Sequence, residues 1–254
     1  MAETAPKPQV DILVDDGYPP FSFEQDGAPA GIYIEVLKAL IERLPDYDIR
    51  LQPVPWDRGK KMMETGSGFA LAPAFFHGHD WPYLHPYSLP FYVETIRVMC
   101  QEPVLRDGRR RVWPQDFQNL SVGNVKGYDG WGGRAFREMI ADRKISYFEA
   151  PTSRSLIKMG LAGRIDCLLM EETAFDIELA RIRKTSNRRG MELLKGPVSN
   201  SDPVYVGYSR PAREQGKFPF RYDFMQALDS QIYLMQTSGE IRKIIEEHQL
   251  KLQN

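Results

Sequence analysis

The sequence predicts an α/β protein of two units, each with a mainly parallel sheet flanked by helices. Short apolar strand patterns alternate with helical patterns over residues 10–72, and the alternation starts again at residue 120. A helical pattern then covers residues 224–252. Such alternation is typical of parallel sheets, because each crossover from one strand to the next uses a helix.

In the first unit, apolar spacing separates strands from helices. Residues 10–14 (VDILV) form a short apolar run that ends in two acids, a glycine and two nearby prolines, which predicts a buried strand entering a loop. Apolar residues from Ile34 to Leu44 recur at helical spacing, and Pro45 ends the pattern. The same reasoning predicts strands at residues 21–23, 49–54 and 69–72, and a helix at residues 58–64.

The second unit repeats this alternation. Strands are predicted at residues 120–125, 146–149 and 167–170, and helices at residues 135–142 and 153–162. A later strand is predicted at residues 204–208. A Gly-rich loop at residues 127–133 follows the first of these strands, and residues 171–173 are predicted as a loop after the third.

Composition excludes several classes of protein. Lys and Arg number 33 against 34 Asp and Glu, so a net charge of −1 gives no general attraction to nucleic acid. No apolar stretch approaches the ~18 residues of a membrane span.

The N-terminus lacks the charged and apolar regions of a signal peptide, so we expect either a cytoplasmic protein or a mature form with an added initiator Met. Cys100 and Cys167 lie in apolar runs and are expected to be buried structural thiols rather than a redox pair.

Candidate ligand-binding residues lie in the loops that follow strands, because ligands of open α/β sheets bind beyond the carboxyl ends of the strands. Aromatic and acidic side chains dominate these loops, which favours a cationic or amine-bearing ligand held between rings. The alternative is that the aromatics belong to the core and the acids form turns or helix caps. The candidates in these loops are Asp15, Tyr18, Phe75, His77, Trp81, Tyr128, Asp129 and Glu171.

Motifs for metal, cofactor or covalent chemistry are weak. His77 and His79 alternate as metal ligands could, but Cys partners are missing nearby. The Gly-rich loop could bind an anion through backbone N–H groups, yet it has neither the Walker nor the dinucleotide-binding spacing. No Gly-x-Ser-x-Gly motif is present. We therefore expect no metal, no cofactor and no catalytic residue.

Ordered motifs along nearly the whole chain resemble those of the family 3 extracellular solute-binding proteins, the polar-amino-acid-binding components of ABC importers. The opening DDGYPPFSF at residues 15–23, a turn and then GIYIEV at residues 31–36 carry the strongest resemblance. Further similar segments follow in the family's order: WDR at residues 56–58, a strand at 69–72, YSLPFY at 87–92, DFQNLSVG at 116–123, and GRID at 163–166 followed by two Glu residues.

The resemblance implies a two-lobed type II periplasmic-binding-protein fold. Residues 1–100 and 204–254 would form a discontinuous first lobe, and residues 101–203 an inserted second lobe. Two strands, near residues 98–101 and 201–206, would act as a hinge. Members of this family close over a small ligand, and a membrane permease or sensor recognises the closed form. The resemblance thus implies a periplasmic protein, which we expect to be a monomer.

The resemblance also assigns roles to individual residues. Tyr18 would cover the ligand, Trp56 would stack on its other side, and Glu171 would bind its ammonium group. Trp81 stands where the family has a carboxylate-binding Arg, and Asp129 would repel a carboxylate. Arg58 could replace the missing Arg, but without it the pocket should prefer an amine or zwitterion to a pure anion.

Two other functions on this fold stay open at this point. One is a sensory module that signals through closure. The other is a dehydratase-like enzyme that uses Glu171 as acid or base, although an acidic substrate would need the Arg that this pocket lacks.

Overall fold

A computed structural model describes residues 6–76, 78, 80–128, 131–185 and 191–253 of the chain. The chain forms two units: residues up to Val93 together with Pro203–Leu252, and Glu94–Asp202. It passes from one unit to the other within two strands, Tyr92–Gln101 and Leu193–Ser209. The first boundary predicted from the sequence, after residue 100, lies near the end of Tyr92–Gln101. The second predicted boundary, after residue 203, lies within Leu193–Ser209.

The sheet of the first unit places β1 (Gln9–Asp15) at its centre, between β5 (Asp48–Val54) and β6 (Ala70–Ala74). Both pairings are parallel, and Asp15 pairs in register with Val54. β12 (Leu193–Ser209) runs antiparallel to β6 and also pairs with β7 (Leu84–Tyr87). The apolar side chains of β1 are buried because helices cover this sheet, as the short apolar run predicted.

Helices and a small second sheet complete the first unit. The helices are α1 (Ile32–Ile41), α2 (Trp56–Thr65), α7 (Arg210–Glu214), α8 (Arg221–Thr237) and α9 (Glu240–Gln253). β2 (Gly17–Tyr18), β3 (Ser22–Gln25) and β4 (Ala28–Ala30) form the antiparallel second sheet. The long C-terminal helical pattern is thus two helices, separated at Gly239, which has a φ of 78°.

Close packing of α2 on the central sheet depends on Gly59. A Cβ at this position would lie 2.9 Å from Leu71 Cδ1 and 3.3 Å from Val54 Cγ2. A larger residue would therefore require the side chains of Leu71 and Val54, or the helix itself, to move. Trp56, the first residue of α2, thus stays beside the carboxyl end of β5.

The second unit has its own sheet, in the order β10–β9–β11–β8. Its strands are β8 (Tyr92–Gln101), β9 (Ser121–Val125), β10 (Ser146–Ala150) and β11 (Cys167–Glu171), and only β8 runs antiparallel to its neighbour. The helices are α3 (Glu102–Leu105), α4 (Gly133–Ala141), α5 (Ser153–Leu161) and α6 (Glu172–Thr185), with a 3₁₀ turn at Gln115–Phe117. Across the described residues, no helix is long and apolar enough to cross a membrane.

The loop predicted at residues 171–173 is wrong. Helix α6 begins at Glu172, directly after β11 ends at Glu171. The polar sequence that indicated a loop instead caps the helix, because carboxylates in the first turn accept hydrogen bonds from its free N–H groups.

The expectation of two separate thiols is also wrong, since Cys100 and Cys167 form a disulfide with an S–S distance of 2.01 Å. The two residues lie directly opposite each other on the antiparallel strands β8 and β11, and both are fully buried. A separation of 67 residues along the chain conceals this proximity, which only the strand pairing creates.

Removing this disulfide should destabilise the protein. Closing a loop of 67 residues lowers the entropy of the unfolded chain, so Cys100→Ala with Cys167→Ala should reduce the free energy of unfolding by about 4 kcal/mol. Urea denaturation measures the loss, and reduced wild-type protein separates the effect of the covalent link from that of lost sulfur packing. A loss below about 1 kcal/mol in both samples would contradict this expectation.

Candidate functional site

Asp15 is a buried carboxyl at the carboxyl end of β1, with only 4% of its surface exposed. Its Oδ1 accepts a hydrogen bond of 2.9 Å from the N–H of Gly17, and its backbone oxygen accepts one of 2.6 Å from Ser22 Oγ. Burial raises its pKa to about 7; the charges of Asp16 and Asp57 also raise it, and the Gly17 N–H and the Lys60 ammonium lower it. Asp15 is therefore partly protonated near neutral pH.

Tyr18 lies three residues further on and heads a chain of aromatic contacts. Its ring centroid is 5.2 Å from that of Phe21, and Phe21 stacks on Tyr33 at 4.6 Å. Tyr33 in turn contacts Tyr92 at 5.5 Å. These contacts hold the ring of Tyr18 in one place beside the end of β1.

Trp81 and Phe75 pack in the hydrophobic core of the first unit. Trp81 is 6% exposed and clusters with apolar residues of β1, α2 and β6, and Phe75 and Trp56 pack against the same cluster. The rings of Trp56 and Trp81 meet edge to face at 5.7 Å. The packing thus gives Trp81 and Phe75 the core role that the sequence left open as an alternative, and their contact with a ligand stays a prediction.

Lys60 is a residue that the sequence analysis missed. Its Nζ lies 6.0 Å from the ring centroid of Trp56 and 5.5 Å from that of Trp81, and it forms a 3.1 Å ion pair with Asp57. The spacing of four residues from Trp56 on one helix was the available signal. By contrast, Arg58 is exposed, and its guanidinium forms no ion pair with another described residue.

Glu171 is the buried carboxyl of the second unit, at the carboxyl end of β11 and 2% exposed. Its Oε2 accepts a 2.7 Å hydrogen bond from the N–H of Ala174, and Thr173 donates to it from both backbone and side chain. Burial raises its pKa to about 7, the hydrogen bonds from Ala174 and Thr173 lower it, and the charge of Glu172 raises it. Glu171 therefore caps α6 and is partly protonated near neutral pH.

The neighbouring Glu172 behaves in the opposite way because it is paired. Arg97 Nε lies 2.8 Å and Lys195 Nζ 2.9 Å from its carboxylate oxygens. Burial raises the pKa of Glu172, but the hydrogen bonds and charges of Arg97 and Lys195 together hold it below its usual value. Glu172 thus belongs to an ion-pair network with Arg97 and Lys195. Glu171, in contrast, forms no ion pair with a cationic side chain of the described residues.

Tyr128 follows β9, whose carboxyl end lies at the same sheet edge as that of β11. Its backbone oxygen accepts a 2.8 Å hydrogen bond from Asn124 Nδ2, and its ring lies 5.1 Å from that of the buried Trp131.

The predicted site residues His77 and Asp129 lie outside the described residues. The part of the chain that the structure describes contains no group of three or more potential metal ligands.

Residues 10–74 match the model of the bacterial extracellular solute-binding proteins, family 3. This match confirms, over that segment, the resemblance that the sequence motifs predicted. No curated protein matches the chain.

Several solved structures share the fold over nearly the whole chain. An amino acid ABC transporter substrate-binding protein from Streptococcus pneumoniae, bound to L-arginine, is 18% identical with a TM-score of 0.67, covering 97% of this chain and 96% of its own. A histidine kinase sensor domain similar to periplasmic binding proteins is 15% identical, with a TM-score of 0.69 and coverages of 95% and 96%. An ancestral amino acid-binding protein, a precursor of cyclohexadienyl dehydratase, is 15% identical, with a TM-score of 0.67 and 94% of each chain covered.

At this level of identity the similarity shows the fold. The chain has the α/β fold of the type II periplasmic binding proteins, and the predicted fold class is confirmed.

The raised pKa of Asp15 predicts a stability effect with a definite sign. Folding favours the protonated carboxyl, so its contribution to stability is fully present below about pH 4 and is lost as pH rises towards 7. Asp15→Asn cannot ionise, and it should be more stable than wild type at pH 8 by a few kcal/mol, since each pKa unit is worth about 1.4 kcal/mol. Thermal or urea unfolding at pH 4, 6 and 8 measures the difference, which should vanish at pH 4. The exposed Asp48→Asn is the matched control; a pH-independent difference for Asp15→Asn would contradict the assignment.

Proposed function

We propose that this protein is an extracytoplasmic solute-binding protein of family 3 and that its ligand is a small amine or zwitterion. One observation carries the proposal. Each unit buries a carboxyl at the carboxyl end of a strand, Asp15 after β1 and Glu171 after β11. Burial raises the pKa of each to about 7, and neither forms an ion pair with another described residue. Perturbed carboxyls at strand ends are typical of binding sites, and a ligand ammonium would supply the missing charge.

Aromatic rings beside these carboxyls support the same ligand chemistry. Tyr18 and Trp56 lie on the elements that follow β1 and β5, and Tyr128 contacts Trp131 after β9. Aromatic faces attract cations by roughly 0.5–2 kcal/mol, depending on desolvation. In either unit a pure anion would instead meet a buried carboxyl, and burying an unpaired carboxylate costs several kcal/mol.

The disulfide supports a location outside the cytoplasm. Buried disulfides such as Cys100–Cys167 persist in oxidising compartments, and they are rare in cytosolic proteins. The family match over residues 10–74 points to the same compartment. We therefore place the protein in the periplasm or at the cell surface.

Delivery of the ligand to an ABC permease is the final part of the proposal. The similar protein from Streptococcus pneumoniae is a transporter component, whereas another similar structure is a sensor domain. Uptake of a radiolabelled ligand by cells with and without this gene distinguishes the two. If the protein delivers its ligand to a permease, deletion of the gene should abolish high-affinity uptake. If uptake is unchanged but a transcriptional or kinase response to the ligand is lost, the protein is a sensor.

A thermal-shift screen of amines, amino acids and dicarboxylates tests the ligand class. A ligand at 100 times its Kd adds about 2.7 kcal/mol of stability, which is a visible rise in Tm. We expect amines or amino acids to raise the Tm and dicarboxylates to leave it unchanged. Stabilisation by dicarboxylates alone would contradict the proposed ligand class.

Glu171→Gln should weaken binding of the best ligand from this screen by about 1.5–3 kcal/mol, the range for a hydrogen bond between charged groups. Gln keeps the size of the side chain and its cap on α6 but cannot neutralise an ammonium. The matched control is Glu149→Gln, an exposed residue of the same unit. Titration calorimetry that finds equal affinities for wild type and both variants would remove Glu171 from the site.

Binding of an ammonium ligand should also release protons near neutral pH. Asp15 and Glu171 are partly protonated at pH 6.5, and a neighbouring positive charge lowers the pKa of a carboxyl. The affinity should therefore rise with pH until the carboxyl that binds the ammonium is ionised. Calorimetry at pH 6.5 in buffers of different ionisation enthalpy measures the release, and proton uptake on binding would count against ammonium recognition.

A further inference from the structure

The first unit contains an ammonium group held against two indole rings. Lys60 Nζ lies 5.5 Å from the ring centroid of Trp81 and 6.0 Å from that of Trp56, and these two rings contact each other edge to face. Only 16% of the Lys60 side chain is exposed, although most surface lysines extend into water. The cation–π contacts fix the position of this charge on α2.

The ion pair of Lys60 leaves its ammonium open to another anion. Asp57 is its ion-pair partner among the described residues, at 3.1 Å, but the side chain of Asp57 is 82% exposed. Because the carboxylate of Asp57 is in water, its attraction to Lys60 is screened and holds the ammonium only weakly. An ammonium has three donors, so a second carboxylate can bind beside Asp57 or displace it.

Lys60 and Asp15 lie at one edge of the first unit's sheet. Asp15 pairs in register with Val54, and α2 starts two residues after Val54. The N–H of Asp16 donates a 3.1 Å hydrogen bond to Val54 O, which ties the two strand ends together. The charge of Lys60 also lowers the pKa of Asp15, as the smallest of the effects on that carboxyl. This edge thus presents a cation and a buried carboxyl together, with aromatic rings beside them.

We propose that Lys60, held against Trp56 and Trp81, binds the carboxylate of the ligand, and that the ligand is therefore a zwitterion rather than a simple amine. This inference rests on the proposed function, in which the protein binds a small amine or zwitterion. The position of Lys60 favours it over Arg58, the substitute considered from the sequence. Arg58 is exposed and has no ring or described counter-ion to hold it in place.

Matched pairs of an amino acid and its decarboxylated amine test the inference directly. Suitable probes are L-arginine with agmatine, L-lysine with cadaverine, L-ornithine with putrescine and L-histidine with histamine. Wild type should bind the amino acid of at least one pair more tightly than its amine. Lys60→Met should weaken binding of that amino acid by about ten- to a hundredfold, the range for a lost hydrogen bond between charged groups, and should change amine binding less than about threefold.

The neighbouring lysine provides the matched control. Lys61 lies on the same helix but is exposed and paired with Glu64 at 2.7 Å, so Lys61→Met should leave both affinities unchanged. Lys60→Arg keeps the positive charge and should retain the preference for the amino acid. If Lys60→Met does not fold, as judged by circular dichroism, Lys60→Gln replaces it, because Gln removes the charge and stays polar.

The outcomes separate the two proposals. Equal binding of amine and amino acid by wild type, or an unchanged preference in the Lys60→Met or Lys60→Gln protein, overturns the role of Lys60 and leaves the proposed function standing. Binding of neither class by wild type overturns the proposed function, and this inference with it. Loss of amine and amino acid binding by the same factor in the variant assigns Lys60 to packing and also overturns the inference.

Discussion

The parallel pairing of β1 with β5 is the constraint on which the first unit's candidate site depends. It brings Asp15 opposite Val54, so that the loop after one strand and the helix after the other start at the same edge. Gly59 then lets α2 approach the sheet, because any side chain there would meet Leu71 and Val54. A buried carboxyl, two indoles and a lysine come together as a consequence of this backbone arrangement rather than of any local sequence motif.

Burial of the carboxyls of Asp15 and Glu171 is unfavourable for folding, and this cost indicates that the two groups serve a purpose other than stability. Desolvation outweighs the hydrogen bonds that Gly17 gives to Asp15 and that Thr173 and Ala174 give to Glu171, so the pKa of each is about 7. A protein selected for stability alone would replace such groups or pair them, as it pairs Glu172 with Arg97 and Lys195. Retaining them without a full counter-charge is the pattern expected of groups that a ligand neutralises.

The sequence predicted those features that depend on short-range periodicity. The strand at β1 and the helix at α1 follow from apolar spacing, and Glu171 was foreseen as either a ligand contact or a helix cap. The disulfide was missed because only the pairing of β8 with β11 places Cys100 beside Cys167. The sequence shows the four-residue spacing between Lys60 and Trp56 on one helix. It does not show the contact of Lys60 with Trp81, which lies in a loop further along the chain. Long-range contacts of this kind leave no periodic signal in a single sequence.

Trp81 links the missing arginine to the proposed role of Lys60. Where the family resemblance leads one to expect a guanidinium, this chain has an indole that fills the core around Leu13 and Leu71 and supports the ammonium of Lys60 from one side. An ammonium is a point charge, whereas a guanidinium binds a carboxylate through two parallel hydrogen bonds. A carboxylate at Lys60 would thus be attracted strongly but oriented weakly by the cation itself. In the proposed site, the rings of Trp56 and Tyr18 and the carboxyl of Asp15 would then orient the ligand. Substitutions at these positions should therefore alter selectivity more than affinity for the carboxylate.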